Sequence, residues 1–497
     1  MKRVAWVLFC GSVALLPARG QAQAERFELG RRLRAFEAAW QRQTDPQART
    51  RALRFLQDAA DAFLFKFYLG AGRQREAARA LDQARFALLW DKEPAANLAW
   101  AESLFWDPES RFIDTAATAL PVTLLPYYPV KAALPGAARL RLALLADPPT
   151  PTRRVGAGGR ELAGAETAIT RLPLRAKLLL KDIPEGDHRL RAEVLVAGKV
   201  LVQSEQTLSC AARLSPRLRA LQEAVAAWPR ASGDTQKETV RGLAELLRRL
   251  SGKELLETAY PASRLLAEAE AAARAVGKGK SFYGHEKSGQ FWLTLAIGKE
   301  DVPARLAVPE QAASGKPLPL VIVIHGTGGS ENMFFDAHGP GMLARLCQKR
   351  GWLLVAPRSS FAGPPSIPGV LAEVDKLYPV DRRRVFLLGH SIGATHAVNV
   401  AQQAPQRFAG VAALAPAGGS VRPSKGLVNL PIFIGTGSED FLMTSRLVPG
   451  NAASLRKALE KAGARKVCYR EYPRVEHLTV VLTALPDAFA FFDRAAR

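Results

Sequence analysis

The chain reads as an α/β protein in which a mostly parallel sheet of eight strands, covered by helices, follows a helical region and a small β-sandwich module. Three observations carry that expectation. Past residue 285, apolar runs of strand length alternate with helical stretches, the pattern of a sheet buried on both faces. Between residues 25 and 105 apolar residues recur every three or four positions, and from about residue 120 to 212 they recur every second one. At 497 residues a single core cannot serve the chain, so about three domains are expected.

The N-terminus opens Met1-Lys2-Arg3, runs apolar from Val4 to Leu16, and offers small residues at Ala22-Gln23-Ala24. That pattern predicts a secretory signal peptide over residues 1–24 and a mature chain that is secreted or periplasmic, with no stable membrane insertion after cleavage. The alternative, an uncleaved anchor, asks for a longer apolar run. Phe9 is too large to precede a lipidated Cys10. With Cys10 gone, Cys210, Cys347 and Cys468 remain, an odd and scattered set that predicts buried thiols rather than a disulfide framework or a metal site.

The chain carries 69 Lys and Arg against 46 Asp and Glu, a formal charge of +23. Such a balance suits a polyanion, and contact with an acidic envelope polymer stays open. Zinc-finger spacing, an RNP-type motif and a compact basic block are all missing, so nucleic acid is not expected as a partner. The arginines are spread along helical faces, as on a solvated surface.

Residues 25–118 are expected as a helical domain. Leu33, Phe36 and Trp40 form one stripe, Leu53, Leu56, Ala60, Phe63 and Phe67 a second, and Ala77, Leu81, Ala84 and Leu88 a third, with their aromatics read as core. Residues 119–213 are expected as β structure. Leu172 to Leu180 alternates with charged residues, Pro184-Glu185-Gly186-Asp187 turns the chain into Leu190 to Val196, and Ala197-Gly198-Lys199 turns it into Val200 to Leu208, a β-meander. The turn spacing resembles that of Ig-like or fibronectin-like modules, which implies a spacing or docking role. Residues 214–280 read as a helical connector, with Thr235-Gln236-Lys237-Glu238 as a capping box and Gly277-Lys278-Gly279-Lys280 as a linker.

Residues 281–497 are expected to be the catalytic domain. Its eight candidate strands are 290–298, 304–309, 318–324, 352–357, 385–389, 410–415, 432–435 and 467–472. Between the fifth strand and a compact helical run stands Gly389-His390-Ser391-Ile392-Gly393, a GxSxG pattern. With 39 glycines in the chain a bare match is weak, and the flanking strand and helix supply its weight. A serine on a sharp strand-to-helix turn needs glycine two positions to either side, where a Cβ would collide with neighbouring backbone.

Three stretches, Leu320 to Gly329, Val380-Asp381 with Val385 to Ser391, and Gly435 to Asp440, make this domain resemble the α/β-hydrolases, in the branch of secreted polyhydroxybutyrate depolymerases and feruloyl esterases. The resemblance covers a little over two fifths of the chain. It implies an eight-stranded, mostly parallel α/β-hydrolase sheet with Ser391 as nucleophile. In this fold the order is serine, acid, histidine, and among seven histidines only His396, inside the elbow helix, and His477, after the last strand, follow Ser391. His477 is therefore the expected base. By match to the family the acid is Asp440, with Glu439 as competitor.

Backbone amides of Ile392 and of Thr327, or alternatively Gly328, are the expected oxyanion hole. His390, Phe334 and Phe361 are candidates for contact with substrate, Phe361 within the Pro- and Gly-rich segment Ser359 to Gly369. Read alone the GxGG of this loop would be a weak phosphate cradle, but neither a Walker lysine nor a full dinucleotide fingerprint accompanies it. The expected activity is cleavage of a small or polymeric carboxylic ester through an acyl-enzyme, with no metal or cofactor. The alternatives are a serine peptidase of the prolyl-oligopeptidase kind and an inactive envelope-binding protein. A regular blade repeat, which the former would carry, is missing from the β region.

Overall fold

The computed structural model describes residues 19–67, 73–91, 94–146, 159–229, 233–254, 256–360, 363–418, 426–440 and 452–495. The apolar stretch of the expected signal segment and Phe361 lie outside them, whereas Ala22-Gln23-Ala24 falls within the first helix. Among the described residues no helix is long and apolar enough to cross a membrane.

Helices α1 (Arg19–Arg42), α2 (Pro46–Phe67) and α3 (Gln74–Leu89) pack through the predicted stripes, with Phe36, Trp40, Leu56, Ala84 and Leu88 buried together. The side chain of Phe67 is outside the described set. A short helix α4 (Ala96–Glu102) leads into β structure that begins at Leu104, ahead of the expected boundary at residue 119. The strands are β1 (Leu104–Pro108), β2 (Phe112–Asp114), β3 (Ala119–Pro126), β4 (Ala138–Ala146), β5 (Arg160–Ala168), β6 (Leu174–Leu179), β7 (Gly186–Val196) and β8 (Lys199–Ala211). They form a three-stranded sheet in the order β1-β3-β6 and a five-stranded sheet in the order β2-β8-β7-β4-β5, closed on one apolar core. The expected meander is therefore only partly formed. β7 and β8 pair as a hairpin, but β6 joins the opposite sheet, because the Pro184-Glu185-Gly186 corner carries the chain across the core.

Helices α5 (Leu214–Ala226), α6 (Thr235–Ser251) and α7 (Ala262–Gly277) follow. The cap of α6 is Asp234, whose carboxylate accepts the Gln236 amide; the capping box predicted at Thr235 does not form, because Thr235 is already the first helical residue and donates its hydroxyl to Glu373. These helices are more than a connector. Val240, Leu243, Leu247 and Leu266 share one hydrophobic cluster with Leu295, Leu306 and Ile322 of the sheet that follows, so they belong to the core of that sheet.

That sheet comprises β9 (Gly289–Ile297), β10 (Glu300–Val308), β11 (Leu318–Ile324), β12 (Leu353–Pro357), β13 (Val380–His390), β14 (Gly410–Leu414), β15 (Ile432–Gly437) and β16 (Val467–Tyr472). Its order is β9-β10-β12-β11-β13-β14-β15-β16, antiparallel at the β9–β10–β12 edge and parallel from β12 onward. All eight expected strands are present. Two run longer than the apolar signal, β10 from Glu300 and β13 from Val380, because their charged ends lie where the sheet leaves the core. Along β11, Ile322 and Ile324 enter the cluster shared with α6 and α7, while Val321 and Val323 enter a second one with Phe386, Phe489 and Phe492. Burial on both faces is why the strands read as unbroken apolar runs.

Because α6 closes the core of the sheet, Leu247→Ala is expected to cost about 2–5 kcal/mol, as buried leucines do. The check is the denaturant midpoint of the unit that contains the sheet. If the loss is confined to a separate helical transition, α6 does not belong to this core.

Candidate active site

Helices α8 (Met333–Asp336), α9 (His338–Arg350) and α10 (Ile367–Leu377) lie between the earlier strands of the sheet; β13 ends at His390, and helix α11 (Ile392–Gln403) starts directly after Ser391. Ser391 has φ 57° and ψ −126°, a conformation that non-glycine residues adopt only when their surroundings impose it. The glycines show how. A Cβ on Gly389 would collide with the Gly393 carbonyl, and one on Gly393 with the carbonyls of Ile324 and His325. Without them α11 approaches the ends of β11 and β13, and Ser391 stands at the carboxyl edge of the sheet.

The loop after β11 lies against this serine, since a Cβ on Gly326 would stand 3.2 Å from that of Ser391. Thr327 and Gly328, with φ +75° at Gly328, continue it along the wall of the same cavity. Across from them Ile392 is the first residue of α11, and its amide has no carbonyl on a preceding turn to bond. His325 braces the loop: its Nδ1 is 2.9 Å from the Gly326 carbonyl, and its Nε2 accepts the Ser359 amide at 2.9 Å. Burial lowers the pKa of His325, so the ring is neutral and donates through Nδ1.

His477 and Asp440 are both buried, with Nδ1 3.0 and 3.1 Å from the two carboxylate oxygens. Their loops are laced together by Glu439 N to Val475 O and Ser438 N to Tyr472 O, at 2.9 Å each. Gly437 permits the approach, because a Cβ there would strike the Val475 carbonyl. Glu439, by contrast, is exposed and accepts the Ser438 hydroxyl. Asp440 is thus the carboxylate on the imidazole.

His390, a predicted substrate contact, reaches the cavity wall but has another task. Its Nε2 donates to the His477 carbonyl at 2.9 Å, and burial, with His477 and His338 nearby, lowers its pKa well below the usual histidine value. A neutral His390 therefore holds the backbone of His477. Phe334 is a correction: it is buried in the core below the loop, against His338, and does not line the cavity. The described part of the Ser359 to Gly369 segment does not line it either.

The cavity wall is completed by the helical domain. A cavity of about 190 Å³ joins Ser391 and His477 to Leu29 and Leu33 of α1, Phe63 of α2 and Leu81 of α3. The Phe63 ring lies directly over Gly328. Its stripe predicts a core position, and the stripe alone could not tell the two apart: an apolar helix face looks the same whether it meets a core or roofs a cavity.

Glu476, which no motif singles out, is fully buried beside His477 and accepts the Leu478 amide. Burial pushes its carboxyl well above the ordinary 4.5, with Asp440 adding to the rise and the Leu478 amide opposing it. The strand order and the serine turn after the fifth strand give the kind of sheet that the resemblance to the α/β-hydrolases implies.

No family model and no curated protein matches the chain. Similar solved structures include a ferulic acid esterase, 17% identical over 42% of this chain and 98% of its own, with TM-score 0.35. The S-formylglutathione hydrolase of Agrobacterium tumefaciens is 17% identical over 42% of this chain and 95% of its own, with TM-score 0.34. A ferulic acid esterase of Anaeromyces mucronatus is 15% identical over 41% of this chain and 88% of its own, with TM-score 0.33. Likeness at this level adds no argument about activity.

Since folding raises the pKa of Glu476, the stability it contributes is full below about pH 4.5 and is lost as pH rises through the folded-state value. Glu476→Gln, which keeps an acceptor for Leu478, is expected to match the parent protein in acid and to melt higher at neutral pH. Thermal melts across that range check this; an unchanged difference at all pH values contradicts it.

Proposed function

We propose that the chain is a serine hydrolase that cleaves small carboxylic esters through an acyl-enzyme. The observation that carries this is the buried Asp440–His477 pair opening on the same cavity as Ser391 on its strained turn. His477 takes the Ser391 proton as the hydroxyl attacks the ester carbonyl, and Asp440 holds the tautomer with the free nitrogen toward the serine. The amides of Ile392 and Thr327, with Gly328 as the alternative to Thr327, receive the oxyanion. His477 then protonates the departing alcohol, and a water that it activates releases the acid.

Within this class the roof supplied by α1, α2 and α3 favours a compact ester over a polyhydroxybutyrate chain, which would need an open groove. The proposal includes export, supported by the basic and apolar N-terminus.

A fluorophosphonate probe is expected to label the protein at Ser391 and to leave Ser391→Ala unlabelled. A folded protein that does not react sinks the proposal. In a panel of esters and peptides ester cleavage should dominate, and dominant peptide cleavage would replace the esterase with a peptidase. Asp440→Asn is expected to lower kcat by about ten-thousandfold, through loss of the imidazole tautomer.

A further inference from the structure

The cavity is mostly apolar, but Arg34 of α1 brings a guanidinium into its wall. The side chain folds back over Gly30, where an added Cβ would stand 3.3 Å from Nη1. Among the described residues no hydrogen bond or ion pair engages it. The acids around it are committed elsewhere. Asp336 accepts from Arg305 at 2.8 Å and from the Thr258 hydroxyl. Glu37 accepts the Gly339 amide at 3.1 Å and faces His338 at 3.6 Å. Glu257, also in the cavity wall, takes Arg358 at 3.1 Å and stands 3.8 Å from Arg26.

Arg34 is half-buried; burial disfavours its charge and Asp336 and Glu37 oppose that effect only in part, yet a guanidinium stays charged, and a charge in an apolar wall is stabilised by a partner that shares its desolvation. We infer that Arg34 binds a carboxylate carried by the substrate, so that the preferred ester has a short apolar chain ending in a single negative charge. The planar fork of Arg34 can bond a carboxylate with two parallel N–H donors. A doubly charged phosphate fits less well, because Asp336 and Glu37, whose charges reach the guanidinium, would repel its second charge. Arg34 would thus set specificity through binding and take no part in acyl transfer. This inference rests on the serine hydrolase proposal.

The test compares matched pairs by release of the phenol: monophenyl glutarate against phenyl pentanoate for a charge on the acyl side, and para-carboxyphenyl butanoate against phenyl butanoate for a charge on the alcohol side. In the parent protein one pair is expected to show a charged-to-neutral ratio of kcat/KM that falls by about tenfold or more in Arg34→Gln, the size of a charge-assisted hydrogen bond. Arg34→Lys, which keeps the charge but loses the fork, should fall between them. Ratios that stay unchanged in both pairs overturn the inference, including the case in which both esters of a pair slow together because Arg34 is only structural. Fluorophosphonate labelling of the same samples separates the failures. Labelling with unchanged ratios removes the carboxylate site and leaves the hydrolase, whereas no labelling at Ser391 removes the hydrolase and this inference with it.

Discussion

The contact between the start of α11 and the carbonyl ends of β11 and β13 is the constraint on which the site depends. Gly393 meets the carbonyls of Ile324 and His325, and Gly389 meets Gly393 itself, so both positions have room for hydrogen alone. The turn between them then has one solution, and Ser391 takes its positive φ. Strain of this kind costs on the order of 1–3 kcal/mol. It persists because β11 and β13 are buried on both faces and cannot relax away from the helix. The same contact brings Gly326 against Ser391 and so sets the serine beside the loop of Thr327 and Gly328.

The histidine is held from three sides. Asp440 fixes the ring, His390 fixes the backbone carbonyl, and the C-terminal helix Thr479–Ala495 anchors the backbone on the C-terminal side of His477. That helix is also where the helical domain docks, since Leu478 and Leu482 pack into the core of α1, α2 and α3. Roofing the cavity and steadying His477 are therefore one packing arrangement, which ties the first hundred residues to the segment that carries His477.

Much of the eight-stranded sheet was legible because its signals are local. A strand buried on both faces writes an unbroken apolar run, as at Leu318–Ile324, and a forced serine turn writes its two glycines. Charged strand ends such as Arg382 to Arg384 of β13 carry no such signal, because the sheet has left the core there and periodicity lapses. The sandwich is less legible. β1 begins directly after a helix, and β6 crosses to a sheet that the turn spacing does not specify. At α6 the cap lies one residue before the expected one, because Asp234 and Thr235 are both good capping residues and only the backbone distinguishes them.

By itself the sequence determined the residue types of the candidate site and their local geometry: a serine on a turn that glycines alone permit, a histidine after the last strand, and an acid pair after the seventh. Each of these is encoded within a few residues and needs no distant partner to be recognised. Tertiary structure decided which carboxylate faces His477, that Phe334 is core while Phe63 is cavity wall, and that α6 belongs to the sheet it covers. Those outcomes depend on contacts between residues distant along the chain, from Asp440 on His477 to Phe63 over Gly328. An apolar stripe is compatible with any apolar surface, and only the packed chain selects the one it meets.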